Sequence, residues 1–298
     1  MPLTHTRTFR VRSYECDAYG HVNQANYLRY MQETAFDASA IAGYDLARYD
    51  AMDCFWLIRE TEIEYRYPLR YGDSIQVKTW VADFRQIRSR RAYEFTLVTS
   101  GQQVARASTD WVFLERSTGR PAVIPPDMKA AFFPEGVPAS TPPRERFPAA
   151  SPPPLAFRHR RRVEWRDLDS VGHVNNAVYL SYIEDCGIQA VAAHGWPIGR
   201  MNAGGFGVVA RQHRIEYEQP AALDDELEVI TWFAEPHETT TVRHTTMIRL
   251  GDSAPVARAR TLHVWIDLAS GKATAPPAAF LADLLPSVVD RPPTSGSL

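Results

Sequence analysis

The segment Asp17-Ala18-Tyr19-Gly20-His21-Val22-Asn23 returns as Asp169-Ser170-Val171-Gly172-His173-Val174-Asn175, a displacement of 152 residues from Asp17 to Asp169. The same displacement carries Tyr27-Leu28 onto Tyr179-Leu180, Ile63-Glu64-Tyr65 onto Ile215-Glu216-Tyr217, Trp80 onto Trp232 and Val104-Ala105-Arg106-Ala107 onto Val256-Ala257-Arg258-Ala259. Two copies at so long a period do not make a solenoid, whose repeats are shorter and more numerous. They make two homologous domains fused in one chain, and a length of 298 residues matches two domains of ~150 residues each.

Eleven of the 22 prolines fall in residues 121–157, a density that opposes helix interiors and central strands. The expected organisation is a first domain at 1–120, a proline-rich linker at 121–157, a second domain at 158–289 and a frayed tail at 290–298. With 45% hydrophobic residues, 23% charged residues and a net charge of −2, the composition gives no electrostatic case for nucleic acid or an anionic membrane. No run approaches the ~18 apolar residues of a membrane span, and the start Met1-Pro2-Leu3-Thr4 lacks a signal-peptide core. The expected compartment is the cytoplasm, in keeping with three cysteines, Cys16, Cys54 and Cys186, that show no CxxC spacing.

Within each half the hydrophobic period passes from two to about 3.6 and back. A strand near Phe9–Tyr14, and again near Arg160–Trp165, leads into the repeated turn. One helix follows, with Tyr27, Tyr30, Met31, Thr34, Ala35 and Ala38 at three- and four-residue intervals, as are Tyr179, Tyr182, Ile183, Cys186 and Ala190. Four strands then follow in each half, near 55–65, 74–83, 92–99 and 104–114, and near 207–217, 226–234, 244–250 and 256–266. One helix cannot cover a five-stranded sheet completely, so each half calls for a partner surface.

Asp, Gly and Asn between a strand and a helix are turn and cap residues first. The same geometry also places a carboxylate beside the positive end of a helix, whose amides can hold a developing oxyanion. A carboxylate that activates water, or attacks directly, together with such donors is what cleavage of a thioester or ester requires. A pure cap would accept Ser, Thr or Asn as readily, whereas both copies carry Asp.

The order strand, Asp-x-x-Gly-His-Val-Asn, x-x-x-Tyr-Leu helix, four strands ending in Trp111-Val112-Phe113-Leu114, and a Thr118-Gly119-Arg120-Pro121 turn resembles the hot-dog-fold thioesterases, in particular the 4-hydroxybenzoyl-CoA and acyl-ACP thioesterase group. The resemblance implies an α+β fold of two tandem hot-dog domains, each a long helix wrapped by an antiparallel sheet, together forming an internal pseudo-dimer. It implies Asp17 and Asp169 as the catalytic carboxylates and amides near Asn23-Gln24 and Asn175-Asn176 as oxyanion donors. It gives His21, His173, Asn23 and Asn175 orienting or polarising roles, and makes Glu33, Glu184 and Asp185 the candidates for an acid on the helix. The charged face of an amphipathic helix explains those three equally well.

The run Arg85 to Arg91, with Arg88, Arg90 and Arg91, lies between strands and could meet the phosphates of coenzyme A or an acidic carrier protein. A solvated hairpin is the plainer reading, and the second copy has lost most of the charge. Cys16 next to Asp17 corresponds to Leu168, which favours a packed hydrophobe over a nucleophile. The nine histidines show no HxxxH or HExxH spacing, so no metal is expected, and no cofactor. Gly204-Gly205-Phe206-Gly207 precedes a strand, not a helix, and does not read as a phosphate loop. The expectation is an acyl thioesterase acting on acyl-CoA or acyl-ACP, associating as a homodimer, with a non-catalytic acyl-binding or regulatory protein as the rival. A hot-dog hydratase would want an Asp-x-Asn-x-x-His segment, and none is present.

Overall fold

The computed structural model describes residues 1–137, 143–148, 150–284 and the backbone of 288–289. The expected tail at 290–298 lies outside the described residues. The chain divides between Arg146 and Phe147 into two compact units.

In the first unit β1 (Thr4–Arg10) leads through a 3₁₀ turn (Ser13–Glu15) to α1 (Gln24–Ile41) and a short α2 (Leu46–Ala51). There follow β2 (Cys54–Tyr65), β3 (Ser74–Phe84), β4 (Arg88–Leu97), β5 (Gln103–Glu115) and α3 (Pro126–Phe132). The strands pair antiparallel in the order β1-β3-β4-β5-β2. In β3 Ile75, Val77, Thr79 and Val81 are buried while Gln76, Lys78 and Ala82 are exposed, the period-two pattern of a sheet with one covered face. Helix α1 supplies the cover through Tyr27, Tyr30, Met31, Thr34, Ala35 and Ala38.

The second unit repeats the plan with β6 (Phe157–Arg162), a 3₁₀ turn (Trp165–Asp167), α4 (Val178–Ala193), α5 (Ile198–Ala203), β7 (Phe206–Tyr217) and β8 (Glu226–Ala234). It continues with β9 (Thr240–Arg249), β10 (Pro255–Asp267), α6 (Ala278–Leu284) and β11 (Val288–Val289). Its antiparallel order is β6-β8-β9-β10-β7, with β11 lying parallel on β8. Each unit thus has the long helix and antiparallel sheet that the resemblance implies.

Two differences from the sequence reading have a physical reason. The first strand of each unit ends at Arg10 or Arg162, earlier than expected, because the Arg12 amide donates to Glu15 Oε2 (2.7 Å) and the Glu164 amide to Asp167 Oδ2 (2.9 Å), coiling the chain into a 3₁₀ turn.

The expected linker is also shorter at its start, since residues 124–133 fold onto the first unit. Ile124, Met128, Phe132 and Phe133 are buried with Tyr44, Phe84 and Phe113. Proline does not prevent this helix: Pro125 is its N-cap and Pro126 its first residue, where no amide donor is needed. Helix α6 repeats the device, with Phe280 and Leu284 buried among Trp196, Phe206 and Trp265. Further along the connection, Arg144 pairs with Asp83 (2.6 Å) and Asp110 (3.3 Å), and Phe147 lies under the guanidinium groups of Arg214 and Arg258.

Candidate active site

The repeated turn is built from the chain inward. The Asp17 amide donates to His21 O (2.8 Å) and the Gly20 amide to Asp17 O (3.0 Å), and a bridge between Cys16 and Val22 closes the loop. Gly20 sits at φ +74° and Gly172 at φ +81°, a left-handed conformation that glycine adopts without strain. In the second copy the Asp169 amide donates to His173 O (2.9 Å), the Gly172 amide to Asp169 O (3.0 Å), and Leu168 bridges Val174.

The half-buried carboxylates do not cap the helices, as turn chemistry allowed. Asp17 Oδ1 accepts from the amides of Tyr19 (2.9 Å) and His21 (3.2 Å), and Asp169 Oδ1 accepts from Val171 (3.0 Å). The head of α1 is capped by Asn23, whose Oδ1 accepts from Ala25 (3.0 Å), whereas Asn175 Oδ1 accepts from Ala177 (3.0 Å) in the turn before α4, whose N-cap residue Ala177 makes no side-chain cap. Position in the turn decides between them: Asn23 directly precedes the helix, whereas Asp17 stands six residues upstream and meets its own loop first. Among the described residues Oδ2 of each aspartate accepts no hydrogen bond, which leaves one oxygen per carboxylate available to a substrate or a water.

The expected amide donors divide in the same way. The Asn23 amide is taken by Glu15 O (2.8 Å) and the Asn175 amide by Asp167 O (2.9 Å). The Asn176 amide makes no hydrogen bond among the described residues, and Gln24 at the matching position has a partner. The Asn176 carbonyl accepts from Tyr217 Oη (3.2 Å).

Neither imidazole hydrogen-bonds the aspartate of its own turn among the described residues. His21 is half-buried and bridges Arg70 through the backbone, while His173 is exposed and bridges Ala222. Burial, with the neighbouring Arg70 cation, holds the His21 imidazole below its ordinary pKa, so it is neutral at pH 7.

Beneath each turn lies a buried carboxylate that was not among the candidate site residues. Glu15 and Asp167 are 5% and 7% exposed. Glu15 Oε2 accepts from Tyr30 Oη (2.7 Å) and Asp167 Oδ2 from Tyr182 Oη (2.7 Å), besides the amides that form the 3₁₀ turns. Burial first, and then the carboxylate acceptor, push both phenols far above the ordinary tyrosine range. These clasps tie the turn to the helix. The signal for them was present as an acidic residue and a tyrosine repeated at one spacing.

The remaining candidates lie apart. Glu33 and Asp185, 53% and 56% exposed, pair with Arg7 and Arg161, each at 3.3 Å, on the outer faces of α1 and α4. Glu184 is half-buried and lies near enough to Arg243 to favour its charge. Strand alternation separates the arginine run: Arg88 is exposed, Arg90 is held by Asp110 through two 2.9 Å bonds, and Arg91 points inward and is 6% exposed. The three do not form one phosphate-binding cluster. Cys16 is half-buried, and burial raises its thiol pKa, which opposes a thiolate nucleophile.

Comparison with known proteins agrees with this architecture. The family model of the thioesterase-like superfamily matches residues 11–132 and again residues 163–284, and the chain belongs to that superfamily. It is 29% identical to a palmitoyl-acyl carrier protein thioesterase, chloroplastic, of Cuphea hookeriana over 61% of this chain and 46% of that one. It is 24% identical to the corresponding protein of Gossypium hirsutum over 87% of this chain and 63% of that one. The chain thus spans about half to two thirds of the length of these relatives. A putative oleoyl thioesterase from Lactobacillus plantarum superposes with a TM-score of 0.77 at 16% identity, covering 93% of this chain and 98% of the other. The 12:0-ACP thioesterase of Umbellularia californica gives 0.71 at 19% identity, covering 87% and 93%. The fold is a tandem hot-dog. No helix among the described residues is long and apolar enough to cross a membrane.

Proposed function

We propose that this protein hydrolyses acyl thioesters. The observation that carries the reading is the duplicated turn, which fixes a half-buried aspartate by one oxygen and leaves Oδ2 uncommitted near a helix head. Membership of the thioesterase-like superfamily supports it, as do relatives named acyl carrier protein thioesterases.

In this reading Oδ2 of Asp17 or Asp169 takes a proton from an attacking water, or attacks the carbonyl itself. In the second unit the Asn176 amide stabilises the oxyanion, and collapse of the tetrahedral intermediate expels the thiol, leaving the carboxylic acid when water attacks and, when the aspartate attacks, an acyl-aspartyl anhydride that water then hydrolyses to the acid. The clasps Glu15–Tyr30 and Asp167–Tyr182 hold the turns in register with the helices, and the neutral His21 polarises its surroundings without adding charge. The proposed substrates are acyl-ACP or acyl-CoA thioesters. The rival, an acyl-binding protein without turnover, draws on the part both aspartates play in closing their own loops. Thiol release from acyl-ACP and acyl-CoA series by the wild type, Asp17→Asn, Asp169→Asn and the double variant separates the two: a wild type silent on every carrier leaves only the binding protein.

A further inference from the structure

The two units differ sharply at one buried row. In the second unit Arg243, Thr261 and His213 are register partners across β9, β10 and β7, and all three are buried. Arg243 is satisfied: Nη1 donates to Ile183 O (2.8 Å) and Nε to His263 Nε2 (3.1 Å). It reaches the helix because residue 187 is glycine; a Cβ there would stand 2.1 Å from Nη1. His213 Nδ1 is bonded to Thr261 Oγ1 (2.9 Å).

In the first unit the matching row is Arg91, Thr109 and Thr61 across β4, β5 and β2, 6%, 2% and 1% exposed. Of the two groups that hold Arg243, the imidazole has been replaced and the approach to the helix carbonyl has changed. Ala35 stands where Gly187 does and fills the notch on the helix. Trp111 stands where His263 does, and an indole N–H only donates; it is spent on Thr109 Oγ1 (2.6 Å). The Arg91 guanidinium lies 5.5 Å from the centre of the Phe132 ring, near Tyr49 and Tyr93, and among the described residues it makes no hydrogen bond or ion pair. Thr61 Oγ1 is likewise buried without a partner.

A guanidinium does not escape this position by losing its proton, and an uncompensated buried cation is strongly unfavourable. The Thr61 hydroxyl is buried without a partner and the Arg91 guanidinium, on a side chain 6% exposed, has no acceptor among the described residues; a row so short of acceptors points to a group brought from outside. In the second unit the row touches α4 at Ile183 and Gly187, seven and eleven residues beyond Asn176, which is roughly 10–16 Å along the helix. By the 152-residue repeat the equivalent row in the first unit corresponds to Met31 and Ala35 of α1, seven and eleven residues beyond Gln24.

We propose that the interior of the first unit binds an acyl group carrying a carboxylate at its far end, gripped by the Arg91 guanidinium with Thr61 Oγ1 as a further donor. The inference rests on the thioesterase reading and names its substrate class, the half-thioesters of dicarboxylic acids. The second unit, whose arginine is already engaged, offers no such grip.

The test pairs binding with turnover. Dodecanedioate and dodecanoate are titrated calorimetrically into the full chain, and dodecanedioyl-CoA and dodecanoyl-CoA are compared in kcat/KM. The wild type is expected to favour the diacid and its thioester at least about tenfold, and Arg91→Met to lower both values for them by on the order of a hundredfold, the consequence of leaving a buried carboxylate unpaired. Arg91→Lys, which keeps the charge but not the fork, is expected to keep part of the preference. Without ligand, Arg91→Met should melt no lower than the wild type, since it removes an unpaired cation. Equal binding of the two acids by the wild type, or a preference that survives Arg91→Met, overturns the proposal and leaves thioester hydrolysis standing. A preference for the diacid with neither thioester cleaved supports the site and overturns the thioesterase reading instead.

Discussion

Replacing Gly187 by alanine isolates the Arg243 latch. The new methyl group would lie 2.1 Å from Nη1 and 2.5 Å from Cζ of a side chain that is 4% exposed. A surface arginine would swing aside, but this one is enclosed and must give up its bonds to Ile183 O and His263 Nε2. At about 1.5–3 kcal/mol for each hydrogen bond to a charged group, the loss is about 3–6 kcal/mol. Alanine recovers ~1 kcal/mol of helix propensity over glycine, leaving a net destabilisation of about 2–5 kcal/mol. Urea unfolding of wild type, Gly187→Ala and the mirror variant Ala35→Gly measures it. The mirror variant should cost about 2 kcal/mol, the propensity and one buried methyl group. Gly187→Ala within about 0.5 kcal/mol of wild type would refute the latch.

Two further outcomes follow from buried groups. Burial, with Arg243 adding to it, holds the His213 imidazole down to about 3 from 6.5, and His263 is lowered for the same reasons. The unfolded chain takes up protons below pH 6.5 that the native state refuses, so stability is full above pH 6.5 and falls toward pH 3 by up to about 1.4 kcal/mol per pH unit for His213, with His263 acting in the same direction. Urea midpoints at pH 7 and pH 5 should show this slope in the wild type and a shallower one in His213→Gln; an unchanged slope contradicts it. Removing a clasp hydroxyl, as in Tyr30→Phe or Tyr182→Phe, should cost about 1–3 kcal/mol and lower kcat through a loosened turn, with both effects read by unfolding and turnover on the same preparations.

Much of the fold was legible because period and duplication reinforce each other. The eight strands that follow the two turns begin and end within about four residues of their expected limits, since alternation such as Ile75, Val77, Thr79 and Val81 fits only a strand covered on one face. The short helices were not legible. Helix α3 begins at Pro126 behind an N-cap Pro125, whose neighbours read as linker, and its apolar residues Met128 and Phe132 are too few for a period to emerge. In the site, the turn and its aspartates stood out, but not which oxygen does what: Asp17 and Asn23 are both good caps, and only the path of the loop gives the helix to Asn23. The arginine run misled for a related reason. Alternation in β4 sends Arg90 and Arg91 to opposite faces, and the run looks continuous only in one dimension.

The central claim is that an aspartate fixed in the turn before a long helix cleaves a thioester. Its most direct test is the rate of free-thiol appearance from acyl-ACP and acyl-CoA with the wild type and with the Asp17→Asn/Asp169→Asn double variant, whose amides keep the size of the carboxylates and an oxygen acceptor for the loop. The account expects turnover by the wild type and a loss in kcat of a hundredfold or more, on the order of what a positioned base contributes, with unfolding midpoints unchanged. Thiol release by the double variant at the wild-type rate would contradict it.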